Sequence, residues 1–198
     1  MNLPNKLTVA RMVMAFAFVA LLSFDHVVCL ALGYLLFIAA SITDIIDGRI
    51  ARSRNLVTNF GKLLDPVADK ILIAAAFTMA MLLPDLMLPG WVVVSIIGRE
   101  FLVTGARSLA ASEGIVIAAN RWGKLKAVFQ MGYIYVFLGL VIVNRIIEVA
   151  APDWLAYMEL AVRQASLWAG IFVAGITIYS GYQFALINWR ALRVSSAL

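Results

Sequence analysis

Apolar residues run along this chain in blocks separated by short polar stretches. Each block is long enough to cross a bilayer, which takes about 20 residues in a helix. Six blocks are read, at Leu7–Phe24, Val27–Ile46, Phe60–Leu83, Trp91–Leu109, Lys126–Ile147 and Leu160–Ile187. Their interiors lack the alternation of apolar and polar residues over about ten positions that marks membrane-barrel strands. The pattern therefore predicts an all-α integral membrane protein with six transmembrane helices and loops too short for a further domain. No internal repeat, low-complexity stretch or linker interrupts it, so residues 1–198 are expected to form a single membrane domain. The opening segment, with Thr8 and Arg11, is expected as a short N-terminal interfacial helix. Basic residues beside the first apolar run are also a feature of secretory leaders, but no small-residue cleavage site follows. "SFDHVV" leads directly into the next run, so the segment is expected to be retained.

Composition agrees with the pattern. The chain is 64% hydrophobic and 14% charged, with a mean hydropathy of +0.96, whereas a soluble domain is about half apolar. With six spans both termini share one side. That side receives Lys6, Arg11, the bases between Arg49 and Lys62, Arg107, Arg121, Lys124, Lys126, Arg190 and Arg193. The opposite loops hold Asp25, His26, Asp85, Glu148, Asp153 and Glu159, with Arg145 and Arg163 as their only bases. The positive-inside rule then places both termini, and the loop after Arg49, in the cytoplasm. Trp91 and Trp154 fall near the outer interface and Trp122 and Trp189 near the inner one, while Trp168 does not fit that belt. The net charge of +5 is spread over cytoplasmic loops beside membrane, which argues for this asymmetry and against a nucleic-acid partner. The single cysteine, Cys29, cannot form an internal disulfide or a cysteine metal site and is read as packing.

Against this background residues 43–70, "TDIIDGRIARSRNLVTNFGKLLDPVADK", stand out. Asp44 and Asp47 are three apart, and Asp65 and Asp69 four apart, so each pair shares one face of its helix. The segment between them is short enough for a turn, so the second helix is expected to fold back and bring the pairs face to face. Two readings compete. Either the acids are interface charges matched by Arg49, Arg52, Arg54, Lys62 and Lys70, or they form a cage for hard divalent ions. Carboxylate oxygens suit Mg²⁺ or Mn²⁺, and no histidine or cysteine lies nearby to favour zinc. Paired divalent ions bridge a transferring phosphoryl group in many enzymes, which points to metal-assisted phosphoryl chemistry at a membrane surface. Gly48, Ala51 and Gly61 are small enough to admit a base or a diphosphate, although small residues also serve ordinary helix packing.

The full spacing, D-x2-D-G-x2-A-R-x8-G-x3-D-x3-D, is filled by Asp44, Asp47, Gly48, Ala51, Arg52, Gly61, Asp65 and Asp69. It resembles the signature of the CDP-alcohol phosphotransferase family, whose six-span size also matches. The resemblance implies that Asp44, Asp47 and Asp65 are ligands to two divalent metals, Mg²⁺ or Mn²⁺. Asp69 would activate the acceptor hydroxyl while lying close to a metal, and either role needs an ionised carboxylate. Gly48, Ala51, Arg52 and Gly61 would hold the cytidine diphosphate of the donor, CDP-diacylglycerol. Thr8 and Arg11 would touch its diphosphate, the alternative for Arg11 being an anchor at the membrane surface. A homodimer in the bacterial inner membrane, surrounded by membrane lipids and with its active site facing the cytoplasm, is implied by the family.

The acceptor is indicated by three further stretches. "NLPNKLTVAR", "GREFLVTGARSLAASEG" and "RWGKLKAVFQM" are similar to family members that transfer the phosphatidyl group to sn-glycerol 3-phosphate, and they extend the resemblance over roughly residues 2 to 131. Such an acceptor carries a phosphate and demands a cationic pocket. Arg107, Lys124 and Lys126 lie on the expected cytoplasmic side and are the candidates; anchoring beside head groups accounts equally for the two lysines. Arg99 and Glu100 are adjacent in mid-span and point about 100° apart on a helix. Each is expected to find its partner on another helix, Glu100 in Lys70, rather than in its neighbour. Family members with serine, inositol phosphate or phosphatidylglycerol as acceptor, an intramembrane prenyltransferase, and a cation channel or carrier are the competing readings. The prenyltransferase leaves Gly48, Ala51, Arg52 and Gly61 without a role, and in a channel the acids would mark a route through the midplane instead of collecting at one interface.

Overall fold

The computed structural model describes the backbone of residues 3–53, 59–112, 114–115, 117, 121–150 and 152–195. Within these it describes the side chains of 6–43, 67–112, 114–115, 117, 121–148 and 157–189. Among the described residues the chain is all-helical, in six helices: α1 (Leu3–Leu22), α2 (Val27–Ser53), α3 (Asn59–Leu82), α4 (Gly90–Ser112), α5 (Arg121–Ala150) and α6 (Pro152–Ser195). Each apolar block of the sequence falls on one helix, although the blocks Leu7–Phe24 and Phe60–Leu83 run past the ends of α1 and α3.

The ends follow local chemistry. His26 caps α2 by accepting the Val28 amide on Nδ1 at 3.2 Å. Pro84 and Pro89 bracket the turn between α3 and α4, since proline disfavours helical geometry in the residue before it. The last turn of α4 closes on Gly114, whose φ of 78° is open to glycine. Its amide donates to the Ala111 carbonyl at 3.1 Å and the Ile115 amide to that of Ala110 at 2.9 Å, the double bond of a Schellman cap.

Two expectations change. The interfacial helix is not a separate element, because α1 runs unbroken from Leu3 and Pro4 lies in its first turn, where proline costs no helical hydrogen bond. The sixth helix, at 44 residues, extends beyond Leu160–Ile187 at both ends. Its polar flanks lower hydropathy but contain no helix breaker after Pro152, which itself sits in the tolerated first position.

α1 packs against α2 and α3, α4 against α3 and α6, and α5 against α2, α3 and α6. The core is aromatic where the helices cross. Phe18 of α1 meets Phe37 of α2 at 5.6 Å between ring centres, and Phe37 meets Tyr135 of α5 at 5.4 Å. Phe77 of α3 stacks on Tyr133 of α5 at 5.5 Å. The outer faces keep large apolar side chains, among them Val13, Leu35, Val94, Leu102, Val128 and Trp168, exposed. Among the described residues, Arg121–Glu148 and Tyr157–Trp189 are long and apolar enough to cross a membrane.

At one end of the bundle Arg145 of α5 ties two turns together. Its guanidinium donates to Asp85 at 3.0 Å and lies 3.1 Å from Asp25. Asp85 is buried, whereas Asp25 is exposed. Replacing Asp85 by alanine is therefore expected to destabilise the protein by about 1.5–3 kcal/mol, the range for a hydrogen bond to a charged group. Asp25→Ala should cost under about 1 kcal/mol. Thermal unfolding of the two variants in one detergent checks the contrast; equal shifts would contradict it.

Candidate active site

The site is built from one face each of α3, α4 and α5, with Ser41 of α2 at its edge. On α4, Glu100, Val103, Thr104 and Arg107 recur at the spacing of a single helical face. On α5, Gly123, Lys124, Ala127, Gln130 and Met131 do the same. With Asp69, Lys70 and Ile73 of α3 they line a cavity of about 510 Å³. Asp69, Arg107, Lys124 and Lys126, four of the residues singled out from the sequence, all line it.

The floor of the cavity is organised around one carboxylate. Glu100 is 3% exposed, and a buried charge must be paired to be tolerated. Lys70 of α3 reaches Oε2 at 2.9 Å, and the Lys126 ammonium of α5 pairs with Oε1. The Gln130 amide donates to Oε1 at 3.4 Å and to the Thr177 hydroxyl of α6 at 3.1 Å. Lys70 also lies 2.7 Å from Asp69 Oδ2, so its ammonium bridges the two acids. The expected Glu100–Lys70 pair is present.

Arg99 donates to the Ser180 hydroxyl of α6 at 2.8 Å, the expected partner on another helix. It also lies 3.3 Å from Glu100, contrary to the expectation that these neighbours stay apart. The backbone does splay them, but the arginine stem is long enough to bring its head back around the helix.

The cationic candidates differ in kind. Arg107 lies with its guanidinium carbon 5.3 Å from the centre of the Phe184 ring, a cation–π contact, and its Nε makes no hydrogen bond among the described residues. Lys124 is exposed at the rim. Lys126 is buried and its charge is already matched by Glu100. Thr8 and Arg11 are each 1% exposed, on a helix that packs against both α2 and α3. That burial removes the reading of Arg11 as a surface anchor.

The remaining signature residues lie on these same helices: Asp44, Asp47, Gly48, Ala51 and Arg52 on α2, and Gly61 and Asp65 on α3. Their side chains, and with them the expected facing of the two aspartate pairs, lie outside the described residues. Among the described residues no three histidine, cysteine, aspartate or glutamate side chains form a metal-holding group. The chemistry of the donor set nevertheless fits hard divalent ions. The signature offers carboxylates alone, the Asp69 side chain is 44% exposed at the cavity, and neither histidine nor cysteine lines the space.

Residues 1–176 match the profile of the CDP-alcohol phosphatidyltransferase family. The chain belongs to this family of transferases. It is 40% identical over 208 aligned positions, covering 98% of this chain and 99% of the relative, to the CDP-diacylglycerol–glycerol-3-phosphate 3-phosphatidyltransferase of Bacillus subtilis (strain 168). The enzyme of the same name from Rickettsia typhi is 36% identical over 184 positions, 92% of this chain and 96% of its own. A protein of Mycobacterium tuberculosis (strain ATCC 25618 / H37Rv) named a probable phosphatidylglycerophosphate synthase is 39% identical over 140 positions, 69% of this chain and 66% of that one.

Sequence reasoning did not single out Gln130, Thr177 and Ser180. Their signal was nonetheless available. Gln130 follows Lys126 by four on an apolar helix, and Thr177 and Ser180 share a face of α6 three residues apart, each a polar residue whose burial requires a partner.

The two lysines of α5 should behave differently in the folded protein. Lys126→Met leaves Glu100 with Lys70 and Arg99, so its expected cost is about 2–3 kcal/mol, below the 3–5 of a fully orphaned buried charge. Lys124→Ala, at an exposed position, should stay within about 0.5 kcal/mol of the parent. Equal melting temperatures for the two variants in detergent would contradict the assignment of Lys126 to Glu100.

Proposed function

We propose that this transferase moves the phosphatidyl group of CDP-diacylglycerol to sn-glycerol 3-phosphate, giving phosphatidylglycerophosphate and CMP. The observation that carries the reading is the cavity lined by both the Asp69 carboxylate and the cations Arg107, Lys124 and Lys126. A proton acceptor for the attacking hydroxyl and a receptor for the acceptor's phosphate thus share one space. The names of the relatives over nearly the whole chain support the same substrates.

In this reading Asp44, Asp47 and Asp65, with Asp69 close by, hold two divalent ions, Mg²⁺ or Mn²⁺. Such ions supply charge neutralisation for the diphosphate and for the departing CMP. Gly48, Ala51, Arg52 and Gly61, with Thr8 and Arg11, hold the cytidine diphosphate. Arg107 offers a fork of donors to the acceptor phosphate and Lys124 a mobile point charge at the rim, while Lys126 stays paired with Glu100 at the floor beneath them. A hydroxyl oxygen of glycerol 3-phosphate attacks the phosphorus that bears diacylglycerol, and the bond from that phosphorus to the CMP oxygen breaks. The hydroxyl proton passes to Asp69. The residues 1–198 act as one domain with six membrane spans, both termini and the cavity facing the cytoplasm of a bacterial inner membrane, and pair as a homodimer among membrane lipids.

The test is CMP release by the full chain in detergent with CDP-diacylglycerol and Mg²⁺, against glycerol 3-phosphate, serine, inositol phosphate and phosphatidylglycerol. Release is expected with glycerol 3-phosphate alone. Asp69→Asn should lower kcat by about 10²-fold or more, the scale of a lost general base. Arg107→Ala should raise the KM for glycerol 3-phosphate by about tenfold or more, the value of a charge-assisted contact. Release with serine instead, an acceptor without a phosphate, would discard the phosphate role of Arg107 and Lys124.

A further inference from the structure

We infer that Glu100 is a positioning residue for the reaction: its carboxylate fixes Lys70 against Asp69 and holds Lys126 at the cavity floor, with α6 steadying the arrangement through Thr177 and Ser180. The inference rests on the reading that glycerol 3-phosphate enters this cavity beside Asp69.

The geometry distinguishes Glu100 from an ordinary ion pair. One buried carboxylate receives donors from three helices: Lys70 from α3, Arg99 from its own α4, and Lys126 and Gln130 from α5. Every one of these residues lines the cavity. A buried ion pair is no better for stability than well-packed apolar residues, so stability alone does not call for four polar partners facing one open space.

Each partner has a consequence at the site. The Lys70 ammonium lies 2.7 Å from Asp69 and 2.9 Å from Glu100. Shared in this way, it cannot swing wholly onto Asp69, and it restrains the rotamer of the carboxylate that takes the proton. Lys126 is held at the floor by its pairing with Glu100, which leaves Arg107 and Lys124 for the incoming phosphate. The Thr177 and Ser180 hydroxyls, both fully buried, orient Gln130 and Arg99 toward Glu100. Both lie just beyond residues 1–176, where the family match ends.

The experiment compares steady-state constants of the parent chain with those of Glu100→Gln, Glu100→Asp and Thr177→Val, all as full chains in detergent. Glu100→Gln is expected to lower kcat and to raise the KM for glycerol 3-phosphate by about tenfold, leaving the KM for CDP-diacylglycerol within about twofold. Glu100→Asp, which keeps the charge, should recover part of both effects. Thr177→Val, nearly isosteric, should shift the same KM by about two- to threefold, as expected for one neutral hydrogen bond acting at a distance. Lys126→Met combined with Glu100→Gln should be no worse than the more damaging single change, because the two residues act as a unit. A purely structural role reduces the folded fraction and hence the maximal rate, and leaves both KM values where they were. That result, or unchanged constants in Glu100→Asp and Thr177→Val if Glu100→Gln does not fold, overturns the inference while the function stands. A parent chain that releases no CMP with glycerol 3-phosphate removes the function and the inference together.

Discussion

A carboxylate in the middle of an apolar helix is the constraint around which the cavity is arranged. Glu100 cannot be left bare in a medium that solvates charge poorly, and each helix that approaches it brings a donor. The requirement is mutual, because Lys70 and Lys126 would be as costly without the acid as the acid without them. Satisfying all three fixes the relative rotation of α3, α4 and α5 more tightly than apolar packing alone, which tolerates sliding between similar side chains. Polar contacts to α6 extend the same constraint to the longest helix of the chain.

The rest of the bundle is held by different means. Aromatic pairs join α1, α2, α3 and α5 across the core, and Arg145 gathers the turns around Asp25 and Asp85. The Arg145 ties and the Glu100 cluster share no residue, so changes in one are expected to leave the other nearly additive. Fixing the fold and shaping the cavity are in this sense separate tasks assigned to separate side chains.

Much of this was legible in the residues. The six blocks became six helices because a long apolar run buries its backbone most readily as one helix, and the length of such a run is visible without knowing any contact. What hydropathy could not give was where a helix stops. α6 continues through polar flanks because backbone hydrogen bonds do not require apolar side chains, and α1 absorbs the expected interfacial helix because nothing after Pro4 breaks it. At the site, Asp69, Arg107, Lys124 and Lys126 were found by their charge, and the Glu100–Lys70 pair by the rule that a buried ion needs a partner. The contact between Arg99 and Glu100 escaped because helix geometry fixes where a side chain starts and not how far a long one can reach. Gln130, Thr177 and Ser180 escaped because an uncharged polar residue in an apolar run is weak evidence until its partner on another helix is known.

The wall of the cavity mixes two characters, with Lys70, Glu100 and Arg107 set among Ile73, Val103, Met131 and Tyr135. A molecule that is ionic at one end and hydrocarbon at the other can rest against such a wall without either end being wrongly solvated. In the reading proposed above, a water-soluble reactant and a greasy one would find in this wall a common meeting place.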